Sequence, residues 1–328
     1  TLSLHDALPI SGWMKDYFQE FVEINGIKQY FLHYPAKGKP VILFLHGGPG
    51  MSEAAFGYKL KEMFKDTCTL VFYDQRGTGR TLQNNPKAHP TLDFLLKDLH
   101  DTIKYLQTCY LTKKIIILGH SWGTVLGSIY ALQHPENVSL YIGVGQVGDM
   151  RLTEELAFLA LKSKVMSQNS SKDLKKLQAI INYPPKQWDS KSYKIYNKLS
   201  KLKDKYGLSM SVKVPLVKIV RKSPIQFRNR DFIAMLKGTK LSESLMLDVL
   251  NSFQIETYGI EYKMPVYYIF GSDDYITPKQ AFSDYFEKII APTKKIVLIE
   301  NAGHYTMFEQ PEAFAKAVIP FLNECALV

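Results

Sequence analysis

The sequence is poor in cysteine, in acidic side chains and in long apolar runs, and each shortage removes a class of protein. Its 328 residues include three cysteines, Cys68, Cys109 and Cys325, odd in number and widely spaced. With no Cys-x-x-Cys and no disulfide framework, reduced and mostly buried thiols in a cytoplasmic protein are the expectation. No apolar stretch approaches the roughly 18 residues of a membrane-crossing helix, which excludes a membrane span. There is no Gly-x-x-x-x-Gly-Lys loop, no His-Glu-x-x-His and no paired Cys or His at ligand spacing, so no cofactor and no metal is implied. Residues 1–11 lack an initiator Met, a basic leader and a long apolar stretch, and do not read as a secretory signal. The opening string Thr1-Leu2-Ser3-Leu4-His5-Asp6 resembles translated sequencing-adapter read-through and is set aside as non-native or disordered.

What is present reads as an ordinary globule, with 46% hydrophobic and 22% charged residues giving ample core. Residues 19–24 and 27–33 alternate in polarity around Asn25-Gly26, the strongest short signal for a two-residue hairpin. Short unalternating apolar runs follow at 41–45, 69–73, 115–118, 140–144, 266–270 and 296–299, as suits strands buried on both faces. Helical patterns at 54–64, 91–107, 122–133, 279–290 and 311–324 separate most of them. Strand and helix in alternation predict an α/β fold, a mostly parallel sheet covered on both sides.

The rhythm breaks once, between residues 144 and 265, a stretch too long for a loop and helical in its periodicity. Residues 148–256 are therefore expected to form an inserted helical cap between two parts of the core, 12–147 and 257–328. The excess of base is local to this insert, which holds 21 Lys and Arg against 10 Asp and Glu, while the whole chain carries +10. A basic surface can attract nucleic acid, an anionic membrane or acidic substrates. No nucleic-acid motif accompanies it, and the lysines at 172–176 and 191–205 alternate with Leu, Ile and Tyr at helical spacing. Solvated outer faces of amphipathic helices are the expectation.

The chemistry concentrates in Gly119-His120-Ser121-Trp122-Gly123, where an apolar strand runs into a helical pattern. Strand before and helix after is the context of a nucleophile elbow, with glycines where a side chain would clash. A serine hydroxyl needs a histidine to take its proton and a carboxylate to orient that histidine. In chain order, Ser121 is followed by Asp273 and Asp274 after one strand and by His304 after the last. Of the other histidines, His33, His46, His89, His100, His120 and His134, none follows the final strand. His46-Gly47-Gly48-Pro49-Gly50, after the strand at 41–45, is a loop whose Gly48 N–H, with that of Trp122, is suited to form an oxyanion hole. In the charged loop Asp74-Gln75-Arg76-Gly77-Thr78-Gly79-Arg80-Thr81, an Asp74–Arg76 interaction bracing the site is expected.

Together these motifs resemble the proline iminopeptidase-like serine peptidases of the α/β-hydrolase superfamily, in the His-Gly-Gly-Pro-Gly loop, the Asp-Gln-Arg-Gly segment and the Ser-Trp-Gly elbow. The resemblance covers the core well and the cap poorly. It implies the α/β-hydrolase fold, with an eight-stranded sheet and an inserted helical cap. It also implies Ser121 as nucleophile, His304 as base and Asp274 as acid, since Asp274 keeps the family's spacing to Pro278. The implied activity is release of N-terminal proline or another small apolar residue from short peptides. Acidic cap residues hold the substrate amine in that family, and Glu154, Glu155 and Glu243 are the candidates. His120 departs from the family's Gly-Gly-Ser-Trp-Gly and matches many esterases, so a carboxylesterase or lactonase on a small ester is the alternative. A non-catalytic ligand-binding relative is a third reading, although no triad member is missing. Epoxide hydrolases and dehalogenases carry Asp at the elbow. The oligomeric state is left open.

Overall fold

The computed structural model describes residues 16–325, so the expectation for residues 1–11 lies outside the described residues. The chain opens with the hairpin β1 (Phe18–Ile24) and β2 (Ile27–Tyr34), and Asn25 and Gly26 both take the positive φ that the two-residue turn requires. Then come β3 (Val41–Leu45), α1 (Gly57–Phe64), β4 (Thr69–Tyr73), α2 (Gly79–Asn84), α3 (Leu92–Cys109), β5 (Ile115–His120), α4 (Trp122–Gln133) and β6 (Val138–Val144). Six helices follow without a strand: α5 (Met150–Ser167), α6 (Ser171–Gln178), α7 (Ser190–Lys205), α8 (Leu216–Arg221), α9 (Asn229–Leu241) and α10 (Glu243–Ser252). The chain then returns through β7 (Val266–Gly271), α11 (Gln280–Lys288), β8 (Lys294–Ile299), α12 (Thr306–Glu309) and α13 (Pro311–Cys325).

The eight strands form one sheet in the order β1-β2-β4-β3-β5-β6-β7-β8, antiparallel through β1, β2 and β4 and parallel from β4 to β8. Neighbouring residues of one strand point into different cores. Leu43 and Ile117 pack with Leu99 and Ile103 of α3 and Val125 of α4, whereas Ile42 and Ile116 pack with Leu60 of α1 and Phe314 of α13. Both faces are thus dry, and strands such as β3 and β5 read as continuous apolar runs instead of alternating ones. The expectation of full burial fails at β8, where Leu298 is 43% exposed, because this strand ends the sheet and has one neighbour. β5 extends two residues beyond the apolar run, to His120.

The stretch between β6 and β7 has a small core of its own, in which Phe158, Leu161 and Val165 of α5 meet Leu177 of α6 and Leu199 of α7. Lysines of α6 point outward, as their spacing suggests. Lys203 of α7 departs from that expectation: it is 3% exposed, because its ammonium is drawn inward to Glu154 of α5, 3.2 Å away.

Helix α4 lies so close to the sheet that a Cβ on Gly123 would come within 2.0 Å of the Leu45 carbonyl oxygen. Backbone cannot yield as a side chain can. At Gly127 the added Cβ would meet the Tyr141 ring edge at 2.8 Å. Gly123→Ala is therefore expected to lower stability by about 3 kcal/mol or more, and Gly127→Ala by less. Urea denaturation of both variants checks this order, and a Gly123→Ala protein as stable as the parent would contradict the packing.

Candidate active site

At the end of β5 the chain turns through Ser121, which sits at φ 51° and ψ −118° and caps α4. A positive φ is strained for a residue with a Cβ, and here the neighbours enforce it. The Ser121 N–H donates to Val144 O at 2.9 Å, and its carbonyl accepts from both the N–H and the hydroxyl of Thr124. A Cβ on Gly119 would strike the Gly123 backbone at 2.7 Å, so strand and helix meet where only glycine fits. The turn leaves the Ser121 side chain half-buried, facing a cavity.

His304 reaches that cavity from the loop after β8. Its Nδ1 lies 2.9 Å from Oδ2 of Asp274, and both side chains are buried. The carboxylate is fully occupied: Oδ1 accepts the N–H groups of Ile276 and Thr277, and Oδ2 accepts the Thr277 hydroxyl. Burial pushes the Asp274 carboxyl up, but His304 and the Thr277 donors outweigh it and hold the group below its ordinary range. Asp273 faces elsewhere and accepts from Ser211 at the surface. The His304 loop is anchored by Glu309, whose carboxylate accepts the N–H groups of Gly303, Tyr305, Ser211 and Val212.

The glycine loop lies opposite. Gly48 has φ 120°, and a Cβ there would come 2.7 Å from the Gly50 nitrogen. The Trp122 N–H belongs to the first turn of α4, where backbone donors have no partner within the helix. Gln75 joins the two pieces: its side chain accepts from Trp122 Nε1 and donates to His46 O, and its N–H donates to His46 Nε2. His46 Nε2 is therefore an acceptor and the ring is neutral, consistent with the burial that presses its pKa down. The expected Asp74–Arg76 contact is not made. Arg76 instead forms a two-pronged pair with buried Asp98 of α3, at 2.8 and 2.9 Å. Asp74 turns to the start of α2, accepts the Arg80 N–H, and is pushed by burial up to about 6.

His120 is in the reverse state to His46. Its Nδ1 is 2.9 Å from Glu53 Oε1 and its Nε2 is 3.1 Å from the His304 carbonyl, so both ring nitrogens face acceptors and both carry protons. Burial presses the His120 pKa down, but the Glu53 carboxylate outweighs it and the net shift is upward. Glu53, which also accepts the Gly47 N–H, is held below the ordinary carboxylate range by His120 despite burial. Asp274 and His46 are the other ionisable groups acting on this pair, and the Tyr305 ring covers it. A raised histidine pKa adds stability that is complete below the ordinary value of 6.5 and is lost as pH rises through the raised one. Glu53→Gln should destabilise the fold by about 3 kcal/mol and drop the His120 pKa below 6.5, as followed by ring NMR titration. An unchanged titration would contradict the ion pair.

Two cavities meet at Gly48 and Ser121. The front one, about 190 Å³, has apolar walls from Leu216, Val217 and Val220 of α8 and Phe232 and Met235 of α9. The rear one, about 80 Å³, is lined by Glu154, Thr153, Tyr196 and Met246. Of the three acids considered for the insert, Glu154 alone lines either of these two cavities. Its carboxylate accepts from Tyr183 at 2.5 Å as well as pairing with Lys203. Glu155 lies on the outer face of α5, paired with Arg151 one turn away, and Glu243 begins α10 beside Tyr193. Neither lines the two cavities at Ser121; Glu155 is turned away because residues 154 and 155 point about 100° apart on a helix. Glu53 and Glu309 were missed by sequence reasoning. Glu53 follows the glycine loop by three residues, a spacing that marks it only once the loop's path is known.

Among known proteins, a Bacillus subtilis protein named "Probable aminopeptidase YbaC" is 26% identical over 284 residues, 85% of this chain and 87% of that one. The proline iminopeptidase of Heyndrickxia coagulans is 27% identical, covering 94% of this chain and 99% of its own length. The crystal structure of a Mycobacterium smegmatis proline iminopeptidase superposes with a TM-score of 0.68 at 20% identity, over 94% of this chain and 99% of that one. Residues 40–311 match the family described as alpha/beta hydrolase fold. With that match and the sheet order above, this chain belongs to the alpha/beta hydrolase fold family.

Proposed function

We propose that this hydrolase is a serine hydrolase acting through an acyl-enzyme, with Ser121 as nucleophile, His304 as base and Asp274 as the acid that orients it. The observation that carries this reading is the buried Asp274–His304 pair opening on the same cavity as the strained Ser121 elbow. With Nδ1 held by Asp274, Nε2 of His304 takes the Ser121 proton as Oγ attacks the substrate carbonyl. The oxyanion that forms is received by the N–H groups of Gly48 and Trp122. Collapse breaks the bond to the leaving group, which takes the proton from His304. Water, deprotonated by the same nitrogen, then releases the acyl group and regenerates Ser121.

For the substrate we infer an N-terminal small apolar residue, held in the rear cavity with its ammonium toward Glu154. The relatives named above support this, as does a buried carboxylate on the wall of a chamber with room for a few heavy atoms. Lys203 already shares that carboxylate, so a substrate amine competes with a resident cation. The same pair favours the second reading, a carboxylesterase, in which the rear cavity takes an uncharged group and Glu154 serves structure.

Ser121→Ala should lower kcat by about 10⁶ and Asp274→Asn by about 10⁴ while the circular dichroism spectrum stays unchanged. Turnover near the parent level in Ser121→Ala would remove the assignment. Glu154→Gln should raise KM for a prolyl arylamide by about ten- to a hundredfold and leave a short acyl ester unaffected. Equal changes on both substrates would favour the esterase reading over the peptidase.

A further inference from the structure

Helix α9 is amphipathic in the wrong sense for a helix covered only by water. Its inward positions are small or polar, Ala234, Gly238 and Asp231, while Phe232, Ile233 and Leu236 point outward with 39%, 52% and 76% of their surface exposed. The small residues are explained by packing: the Gly238 backbone lies directly on Gly50 and Gly77, and Asp231 receives Arg80 and Gln83 from α2. Phe227 packs edge-on against the Phe232 ring, and among the described residues Ile233 and Leu236 remain largely uncovered. Val217 of α8, 56% exposed, extends the patch. Phe232 and Val217 also line the front cavity, so the patch surrounds the mouth above Ser121.

Cations frame this patch. Lys218, Arg221 and Lys222 close α8, and Arg230, Lys237 and Lys240 run along α9, all exposed. Among the described residues none of these six pairs with a carboxylate, and Asp231, buried, is the one acid in residues 213–241. This differs from α6 and α7, where Lys176 and Lys205 pair with Asp173 and the leucines face inward.

We propose that the α8–α9 face docks on an anionic lipid bilayer, with Ile233 and Leu236 entering the headgroup boundary and the six cations meeting the acidic headgroups. An outward apolar strip edged by Lys and Arg is what an interfacial helix needs, since one part gains from leaving water and the other from the surface potential. A second copy of this chain would bring like charge against like. Nucleic acid would engage the cations but would leave the aliphatic Ile233 and Leu236 without a role, because bases stack on aromatic rings. Docking stands independently of the leaving group that Ser121 expels, and it turns the front cavity toward the bilayer.

The test is cosedimentation of the full chain with vesicles of phosphatidylcholine containing about 30% phosphatidylglycerol, a composition giving a strongly negative surface, and with phosphatidylcholine alone. Binding is expected to the anionic vesicles only and to weaken as salt is raised. The double variant I233S/L236S should lose at least about tenfold in partitioning, since each buried aliphatic group adds to interfacial affinity. K237E/K240E should lose more, at about fivefold or greater per charge. Both variants should hydrolyse a small soluble ester at the parent rate, which separates docking from damage to the site. Equal binding to neutral vesicles, no binding, or anionic binding unaffected by I233S/L236S would overturn the proposal. So would retention on single-stranded RNA or poly-glutamate at concentrations where vesicles are not bound.

Discussion

The contact between the backbone of α4 and the end of β3 is the constraint on which the rest of the structure depends. Because Gly123 lies against the Leu45 carbonyl and Gly119 against Gly123, the chain between β5 and α4 has no room to turn gradually. It turns in one residue, Ser121, whose backbone is forced to positive φ. The same closeness brings the end of β3, and with it the loop at Gly47 and Gly48, beside the start of α4. A Cβ added to Gly47 would lie 3.4 Å from that of Ser121. One steric condition thus sets Ser121 at the cavity beside the Gly47–Gly48 loop.

Charge around this turn is arranged in buried pairs. Asp274 is committed to His304, Glu53 to His120, Arg76 to Asp98 and Glu154 to Lys203. Desolvating such pairs offsets much of their attraction, so their contribution is better read as fixing geometry than as adding stability. His120 shows how: its imidazolium ties the loop after Gly47, through Glu53, to the carbonyl of His304. Loops from the two ends of the chain are thereby held in register across Ser121. Glu309 does the same on the far side, joining the His304 loop to residues 211 and 212 ahead of α8.

The helices between β6 and β7 supply one side of both cavities at the serine, and they do so by two means. α9 is fixed to the core through glycine contacts and the Arg80–Asp231 pair, so its outward apolar side chains are held in place beside the cavity mouth. α5 and α7 enclose Lys203 and Glu154 around a small rear chamber. The inserted helices thus give the front cavity apolar side chains of α8 and α9 and the rear one Glu154 of α5, and Ser121 stands where the two meet.

The sequence by itself determined the alternation of strands and helices, the hairpin at Asn25-Gly26 and the elbow at Ser121. These are local: two-residue turns, apolar runs and glycine spacings act over a few neighbours and leave a mark in the chain. The order of Ser121, Asp274 and His304 was legible for the same reason, each lying just beyond an apolar strand. Only the tertiary structure decided which charges meet. Arg76 chose Asp98 over Asp74, Lys203 turned inward among lysines that face out, and Glu154 was separated from Glu155, its neighbour in sequence. β8 was half-exposed because it came last in the sheet, a rank that its own residues do not encode. Ion pairs and sheet edges join positions tens to hundreds of residues apart, and the physics that selects them acts through distance and burial, which exist only once the chain has folded.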